Sequence, residues 1–490
     1  MIRSLYILLL WCLCACSKSS SQPEALPSRA ESLNIYPGKE RVRIEFSFSD
    51  PAIEYFNVYW KGKAMSKRIN KNEAANSVVS TYIENLEEGY HTFDVVAYNA
   101  GGLASAPVRA QAEVYGEKYK SRLNNPLARD IVFIQGQTPY IEWKELEGDE
   151  VAINIDYTTE EGAVRRVRVI KGASTALLPG YKQLSEVAYQ TLYLPQQNAI
   201  DTFAAPKQTI PFLTLYANLT SKKIIEKSGF VNRVVSQTSS SIHPDIEYTK
   251  LQFENGSGAR YSLFALRVDA SKANVSLTTL MPDNATQFGL QTVKTMAERR
   301  DAAGGKIVAA VNADFFDWSP VAGRPWGPVV VEGTIVKNFA KEGVGGTTYF
   351  GVKKDGSFSI DVASSLSTAD YNSFSNMAGG GTNLLYLNGT PRIYNDAVRE
   401  PRTMIGYTSD KKVYLVVVDG RQSGYSVGMT IDELVAVMGS LGINSATNLD
   451  GGGSSTMVLK NSGGMFEVVN RYSDASPRAV ANAIAIKLNQ

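Results

Sequence analysis

The stretch KVYLVVVDGR, residues 412–421, decides the architecture of the C-terminal half of the chain. Its uninterrupted apolar run, rich in valine, favours a strand that is buried on both faces. A helix should follow, because Thr430 suits the N-cap, Glu433 completes a capping box and Gly442 suits the left-handed C-terminal position. The segment NSATNLD (444–450) then predicts the next strand.

This order of strand, helix and strand predicts a βαβ unit with parallel strands. Asp419 and Asp450 then fall at the carboxyl ends of their strands, on one edge of the sheet. Adjacent strands lie about 5 Å apart and next-but-one strands about 10 Å apart. Two carboxylates at such distances can serve glycoside chemistry. The buried stretch KIVAAVNADFF (306–316) ends in Asn312 and Asp314 and could bring a third group to this edge.

Three glycines, Gly451, Gly452 and Gly453, follow Asp450 directly. Glycine inside an element costs stability, so a run of three indicates a sharp turn or the close approach of a ligand. The turn is not a P-loop, because no lysine follows it and the next residues, STMVLK, favour a strand. A flexible surface turn is the alternative interpretation, and the carboxylate beside it favours a substrate-facing loop.

The inventory of reactive side chains narrows the chemistry. All three cysteines lie within the first 16 residues, so the rest of the chain offers no disulfide, cysteine nucleophile or thiolate metal site. The two histidines nearly exclude a Ser-His-Asp triad or a multi-histidine zinc site. Acid–base chemistry near neutral pH therefore falls to carboxylates. The formal net charge of +2 gives no argument for a nucleic-acid partner.

The N-terminus predicts a lipoprotein. Arg3 and the apolar stretch that follows are typical of a secretory signal, and Leu13-Cys14-Ala15-Cys16 resembles the lipobox of bacterial lipoproteins. We therefore expect residues 1–15 to be a signal peptide, Cys16 to carry the lipid anchor, and 16–33 to be a polar tether. An ordinary signal peptide that is cleaved nearby is the alternative.

The fold class expected is multidomain, with β-sandwich-like modules followed by an α/β (mixed α+β) catalytic domain with a largely buried sheet. Residues 34–117 contain short strands, and LEEGY with FDVVAYNAGGLAS resembles a fibronectin type III domain. We expect a second β-rich domain at 118–212, a linker at 213–240 and the catalytic domain at 241–490. Residues 34–212 resemble a module of Gram-negative surface lipoproteins, which implies an outer-membrane or cell-surface location.

Five motifs in the last 250 residues resemble those of the phosphodiester glycosidase family. They are NADFF (312–316), PRTMIGY (401–407), VVVDGRQSGYSVGMTIDELVAVMGSLG (416–442), TNLDGGGSSTMV (447–458) and SPRAVANAIAI (476–486). The resemblance implies cleavage of the bond between the anomeric carbon of a sugar and a phosphodiester oxygen. The implied substrate is a phosphorylated glycan of the envelope or exterior, such as an N-acetylglucosamine-1-phosphodiester, and the implied enzyme needs no cofactor.

Matching the motifs position by position gives the candidate site. The catalytic candidates are Asp450, Asp419 and Asp314. The substrate-binding candidates are Asn312, Arg402, Thr403, Arg421, Gly451, Gly452, Gly453, Ser454, Ser455 and Arg478. Guanidinium groups suit bidentate contacts to phosphate, and a carboxylate suits the oxocarbenium-like centre as nucleophile or base. A metal held by the three aspartates is an alternative that we do not adopt, and a non-catalytic glycan-binding surface lipoprotein is the alternative function.

The lipobox makes a direct prediction. Replacing Cys16 with alanine should release the protein from the membrane fraction, because the lipid-bearing thiol is lost. Fractionation of cells that express the wild type and C16A would measure this release. A C16A protein that stays bound to the membrane would contradict the lipoprotein interpretation.

Overall fold

The structure, a computed structural model, describes residues 25–339 and 347–489. The predicted signal peptide, Cys16 and the tether as far as residue 24 lie outside these residues. Within the described part of the chain, no helix is both long enough and apolar enough to cross a lipid bilayer.

The described residues form two compact units. The first comprises residues 25–132 and 138–213, and the second comprises 133–137 and 214–489. Strands hold 46% of the residues and helices 12%. The expectation of a multidomain, β-rich chain is confirmed. The expectation of an α/β catalytic domain is met only in part, because strands far outnumber helices.

The first unit begins with a β-sandwich. Its strands are β1 Leu33–Pro37, β2 Arg41–Ser47, β3 Ile53–Trp60, β4 Met65–Asn70, β5 Val78–Glu84, β6 Gly89–Asn99 and β7 Val108–Val114. One sheet has the order β1-β2-β5 and the other β4-β3-β6-β7. Alternate residues of β2, namely Val42, Ile44 and Phe46, are buried in a core that also holds Phe56 and Phe93. The predicted sandwich is therefore confirmed.

The rest of the first unit is also made of strands. Its elements are α1 Glu117–Lys120, β8 Ala128–Val132, β9 Tyr140–Trp143, β10 Glu150–Thr158, β11 Val164–Ile170, β12 Thr175–Leu177, β13 Val187–Tyr193, β14 Phe203–Ala204 and β15 Gln208–Ile210. One sheet has the order β11-β10-β13-β14 with β15 beside β13, and the other β12-β9-β8. The boundary near residue 117 stays a prediction.

The predicted linker at 213–240 is wrong. Its residues contribute α2 (Leu219–Lys227) and most of β16 (Arg233–His243), and β16 pairs with the following strand along its whole length. Most side chains of β16 are exposed, as expected of an edge strand. The polar, serine-rich composition of β16 fits an edge strand. A linker can have the same composition, so composition alone does not distinguish the two.

The second unit contains three larger sheets. Its further elements are β17 Ile246–Glu254, β18 Arg260–Asp269, β19 Val275–Leu280, α3 Val293–Arg300, β20 Ile307–Asn312, β21 Phe316–Asp317, β22 Arg324–Pro325, β23 Val329–Val331, β24 Thr334–Lys337, β25 Thr348–Lys353, β26 Phe358–Val362, β27 Phe374–Gly379, β28 Leu384–Leu387, β29 Thr390–Pro391, β30 Arg402–Tyr407, β31 Lys412–Val418, α4 Ile431–Leu441, β32 Ser445–Asn448, β33 Met457–Lys460, β34 Phe466–Val468 and β35 Ala483–Leu488. The sheet orders are β16-β17-β18-β31-β30-β32-β28-β29, β19-β35-β20-β33-β34 and β24-β23-β27-β25-β26.

The eight-stranded sheet and the β19-β35-β20-β33-β34 sheet are the middle layers of the unit. In β31, Leu415 and Val417 lie in a core shared with the β19-β35-β20 sheet, whereas Tyr414 and Val416 lie in a core with α2 and α4. The outer face of the β19-β35-β20 sheet packs against α3. The order of layers is therefore helices, sheet, sheet, helix. This arrangement buries β31 on both faces, as its apolar run predicts.

The predicted crossover is present, with one strand inserted. Strand β30 lies between β31 and β32 and is antiparallel to both, so β31 and β32 run parallel as next-but-one neighbours. Helix α4 connects them, with the Thr430–Glu433 capping box and a left-handed Gly442 at its ends. The named strand pairs of this sheet are all antiparallel. One helical crossover therefore does not make the sheet an α/β sheet.

The cap of α4 can be tested. The Thr430 hydroxyl accepts a hydrogen bond of 3.2 Å from the Glu433 amide. We expect T430A to lower the free energy of unfolding of the second unit by about 1 kcal/mol. T430S, which keeps the hydroxyl, should stay near the wild type in the same urea titration. Equal losses in both variants would contradict the capping role.

Candidate active site

The ends of β20 and β32, from two different sheets, are joined directly. The Asp450 amide donates to the carbonyl of Ala313 at 2.8 Å, and Asn312 Nδ2 donates to the carbonyl of Asp450 at 2.7 Å. Asp419 follows β31, which is parallel to β32, so Asp419 and Asp450 lie at the same edge of the larger sheet. The structure thus brings the ends of the three predicted strands together.

Asn312 and Thr403 are buried inside this junction. Asn312 Oδ1 accepts hydrogen bonds from Thr403 Oγ1 at 2.8 Å and from the Thr456 amide at 3.0 Å. Both predicted residues have no exposed surface. Their hydrogen bonds hold β20, β30 and the residues after the glycine turn together, and their predicted contact with substrate stays a prediction.

Asp314 is fully enclosed by hydrogen-bond donors. Its Oδ1 accepts from the Gly327 amide at 2.9 Å, and its Oδ2 accepts from the Gly379 amide at 2.8 Å and from Asn482 Nδ2 at 2.6 Å. Burial raises the pKa of this carboxyl to about 6, although the three donors and the charge of Lys337 oppose the rise. Its contacts are thus those of a residue that organises the site.

Asp419 is also held by three donors. Asn470 Nδ2 donates at 2.9 Å, the Arg471 amide at 2.8 Å and the Tyr425 hydroxyl at 3.0 Å. Burial raises its pKa to about 6 against these donors. Asn470 also donates to the carbonyl of Ser455 at 3.0 Å. Through these hydrogen bonds, Asp419 holds residues 470–471 next to the glycine turn.

Asp450 differs from the other two carboxylates. Burial raises its pKa to about 7, and the negative charge of Asp314 adds to the rise. The Ser454 hydroxyl, the Gly451 amide and the positive charge of Arg478 oppose this rise in pKa. The Ser454 hydroxyl is near enough to lower the pKa, but its geometry falls short of a hydrogen bond. Asp450 is the most accessible of the three, with 7% exposure against 1% for the others.

The three glycines lie against the three predicted arginines. A Cβ on Gly451 would contact the side chain of Arg402, and a Cβ on Gly452 would contact that of Arg421. A Cβ on Gly453 would come within 2.2 Å of Arg478 Nη2 and of the Asp474 carboxylate. Gly452 also has a φ of 62°, which favours glycine. The run of glycines therefore makes room for guanidinium groups beside Asp450.

Each arginine already has protein partners. Arg402 donates to the carbonyls of Met429 and Val398, both at 3.1 Å, and is little exposed. Arg421 pairs with Glu400, and Arg478 pairs with Asp474 at 2.8 Å. The side chains of Arg421 and Arg478 are 48% and 30% exposed. These two arginines are thus better placed than Arg402 to meet an incoming anion.

Three consecutive hydroxyls after the glycines have no protein partner. Ser454, Ser455 and Thr456 are almost fully buried, and among the described residues none of their hydroxyl oxygens makes a hydrogen bond. Buried polar atoms without partners carry a free-energy cost and therefore call for a ligand or water. Ser454 and Ser455, which the motif match selects, are two of these three.

Sequence reasoning missed several residues that shape the site. Asn470, Asn482, Gly327, Gly379 and Lys337 hold the carboxylates or their supports. Asn482 lies inside the SPRAVANAIAI motif, as a lone polar residue in an apolar run, and this signal could have selected it. The others carry no local pattern.

The sequence leaves a metal held through oxygen by Asp314, Asp419 and Asp450 as an alternative. Among residues 25–339 and 347–489, no three acidic, histidine or cysteine side chains converge as a metal site requires.

Two family models match parts of the chain. A family model described as phosphodiester glycosidase matches residues 305–487, and one described as a domain of unknown function matches residues 20–203. The C-terminal part of the chain therefore carries a phosphodiester glycosidase family domain.

Individual relatives are distant. An uncharacterized prophage-derived protein, YomE, of Bacillus subtilis is 36% identical over 89 residues, which is 18% of this chain and 13% of the length of that protein. The zebrafish N-acetylglucosamine-1-phosphodiester alpha-N-acetylglucosaminidase catalytic domain, auto-inhibited by its pro-peptide, is 23% identical with a TM-score of 0.40, and covers 51% of this chain and 87% of that one. Fibronectin domains FN1–FN3 of chicken CNTN1 are 15% identical with a TM-score of 0.24, over 39% and 69% of the two chains.

The raised pKa of Asp450 makes stability depend on pH. A carboxyl that holds its proton more tightly when folded stabilises the protein at low pH, and this stabilisation is lost as pH rises through the folded pKa, here about 7. D450N keeps the size and removes the charge. We expect the difference in unfolding free energy, D450N minus wild type, to grow in favour of the variant between pH 5 and pH 8. Urea titrations at both pH values measure it, and a difference independent of pH would contradict the buried-charge argument.

Proposed function

We propose that this protein hydrolyses the glycosidic bond of a sugar-1-phosphodiester in envelope or extracellular glycans. The observation that carries the proposal is the position of Asp450, a buried carboxyl with a pKa of about 7 beside unpartnered hydroxyls and two accessible arginines. The family of the domain supports the reaction class. An N-acetylglucosamine-1-phosphodiester is the first substrate to test.

The surroundings of Asp450 suit a phosphodiester. Such a group leaves the anomeric carbon readily, so it needs less proton donation than an alkoxide would. It carries a negative charge that Arg421 and Arg478 can meet, if the substrate competes with Glu400 and Asp474 for them. The free hydroxyls of Ser454 and Ser455 can donate to phosphate or sugar oxygens.

Asp450 is the central carboxylate of this proposal. In this proposal it acts on the oxocarbenium-like centre as a nucleophile or as a base toward water, since it is the least buried residue of the three aspartates. Asp314 and Asp419 are the other two catalytic candidates that the sequence selects. Each already accepts three hydrogen bonds, so we assign them the role of holding the site in place unless substrate displaces those donors.

The rival function is glycan binding without turnover by a surface lipoprotein. A panel of sugar-1-phosphodiesters that includes an α-N-acetylglucosamine-1-phosphodiester separates the two. Released sugar reports hydrolysis, and calorimetry reports binding. Binding without release across the panel would favour the rival. The protein used should include residues 214–240, because β16 is part of the large sheet.

A location in the cell envelope agrees with this substrate. The lipobox at Cys16 would anchor the domain through a tether at the outer membrane or cell surface of a Gram-negative bacterium, near envelope glycans. This location is proposed from the N-terminal sequence alone.

Two substitutions separate chemistry from binding. D450N should lower kcat by roughly 10²–10⁴-fold, because the reacting carboxylate is lost. R478A should cost one charge-assisted contact, roughly 1.5–3 kcal/mol, or about one to two decades in kcat/KM. D410N, at a carboxylate with 67% exposure, is the matched control and should keep wild-type kinetics. Near-full activity of D450N, with loss in D314N or D419N, would move the central role to another aspartate.

A further inference from the structure

Lys337 is a buried lysine close to the site. It ends β24, pairs there with Val329 and is only 3% exposed. Its Nζ donates to the carbonyls of Trp326 and Gly327, both at 3.1 Å, and to that of Phe339. An ammonium group has three protons, so these bonds use all of them. Lys337 therefore has no proton left for substrate.

One of these carbonyls belongs to the peptide that holds Asp314. The peptide between Trp326 and Gly327 accepts from Lys337 through its oxygen and donates its N–H to Asp314 Oδ1 at 2.9 Å. The ammonium group contacts the oxygen of this peptide, and the carboxylate contacts its N–H hydrogen. Both charges therefore increase the dipole of the peptide in the same direction. Two buried charges are linked through a single peptide unit.

Packing makes this link stiff. A Cβ on Gly327 would come within 2.7 Å of Asp314 Oδ1 and 2.4 Å of the Gly379 Cα. A Cβ on Gly379 would come within 2.0 Å of the same carboxylate oxygen. The two glycine backbones enclose the carboxylate, so a shift of the 326–327 peptide has to move Asp314 as well.

Resting on the proposed function, we propose that Lys337 is a positioning residue for the reaction, which holds Asp314 through the 326–327 peptide and thereby keeps its negative charge near Asp450, whose amide bonds the neighbouring carbonyl of Ala313. The lysine does not contact the reacting atoms. It acts through Asp314, whose charge acts on Asp450, the carboxylate that contacts the reacting atoms.

The charges around this link determine its pH dependence. Lys337 faces Asp314 after β20, Asp317 in β21 and Arg324 in β22. The charge of Lys337 lowers the pKa of Asp314. The charge of Asp314 raises the pKa of Asp450, and the charge of Arg478 lowers it. Burial lowers the pKa of Lys337 itself to about 8, so its charge is present at neutral pH. Removing this cation should make Asp314 take up its proton at higher pH, and Asp450, which then faces less negative charge, should take up its proton at lower pH.

The kinetic test compares K337M, K337R and the control K294M, at a lysine with 45% exposure on α3. For K337M we expect the acidic limb that reports protonation of Asp314 in the pH profile of kcat/KM to move upward by about one pH unit, with about a fivefold loss at pH 6. K337R, which keeps the charge, and K294M should keep the wild-type limb. A uniform loss in K337M with an unmoved limb would overturn the proposal and leave a purely structural lysine.

A second measurement does not depend on turnover. In full-length protein labelled with ¹³C at aspartate carboxyls, the Asp314 resonance, assigned by its absence in D314N, should titrate at higher pH in K337M than in the wild type. An unchanged midpoint would overturn the proposal. K337Q supplies the neutral variant if thermal unfolding shows that K337M does not fold. If wild-type protein hydrolyses no probe, the proposed function fails, and this titration still decides the role of Lys337.

Discussion

The hydrogen bonds that join the end of β20 to the end of β32 are the constraint on which the site depends. The Asp450 amide binds the carbonyl of Ala313, and Asn312 binds the carbonyl of Asp450. These two strands belong to different sheets, whose facing sides share one core. The joint therefore sets the position of Asp450 relative to both sheets. Packing of the core fixes the joint, because neither sheet can slide without opening buried contacts.

The burial that holds the carboxylates in place also carries a free-energy cost when they are ionised. All three have raised pKa values, since taking an ionised carboxyl out of water is unfavourable. For Asp314 and Asp419 the cost is offset by three donors each. Asp450 has less compensation, and this imbalance is typical of a group kept for chemistry rather than for stability.

The glycine turn and the hydroxyls after it extend this arrangement. The glycines leave space that arginine side chains occupy, and the hydroxyls are buried without partners. Natural folds seldom retain such atoms unless a ligand or water satisfies them. The anionic group of a phosphodiester meets both requirements, since it accepts hydrogen bonds and carries charge.

Local sequence determined much of this protein. The apolar run of β31 and the caps of α4 each identified an element, because burial and capping leave local signals in the sequence. The motif around Asp450 also selected the carboxylate that the structure leaves most accessible. Only the tertiary structure decided the rest. The insertion of β30 between β31 and β32, the edge position of β16 and the peptide that links Lys337 to Asp314 all join residues far apart in the chain. Pairing of distant backbone groups leaves no pattern in either partner, so no reading of one segment could have revealed it.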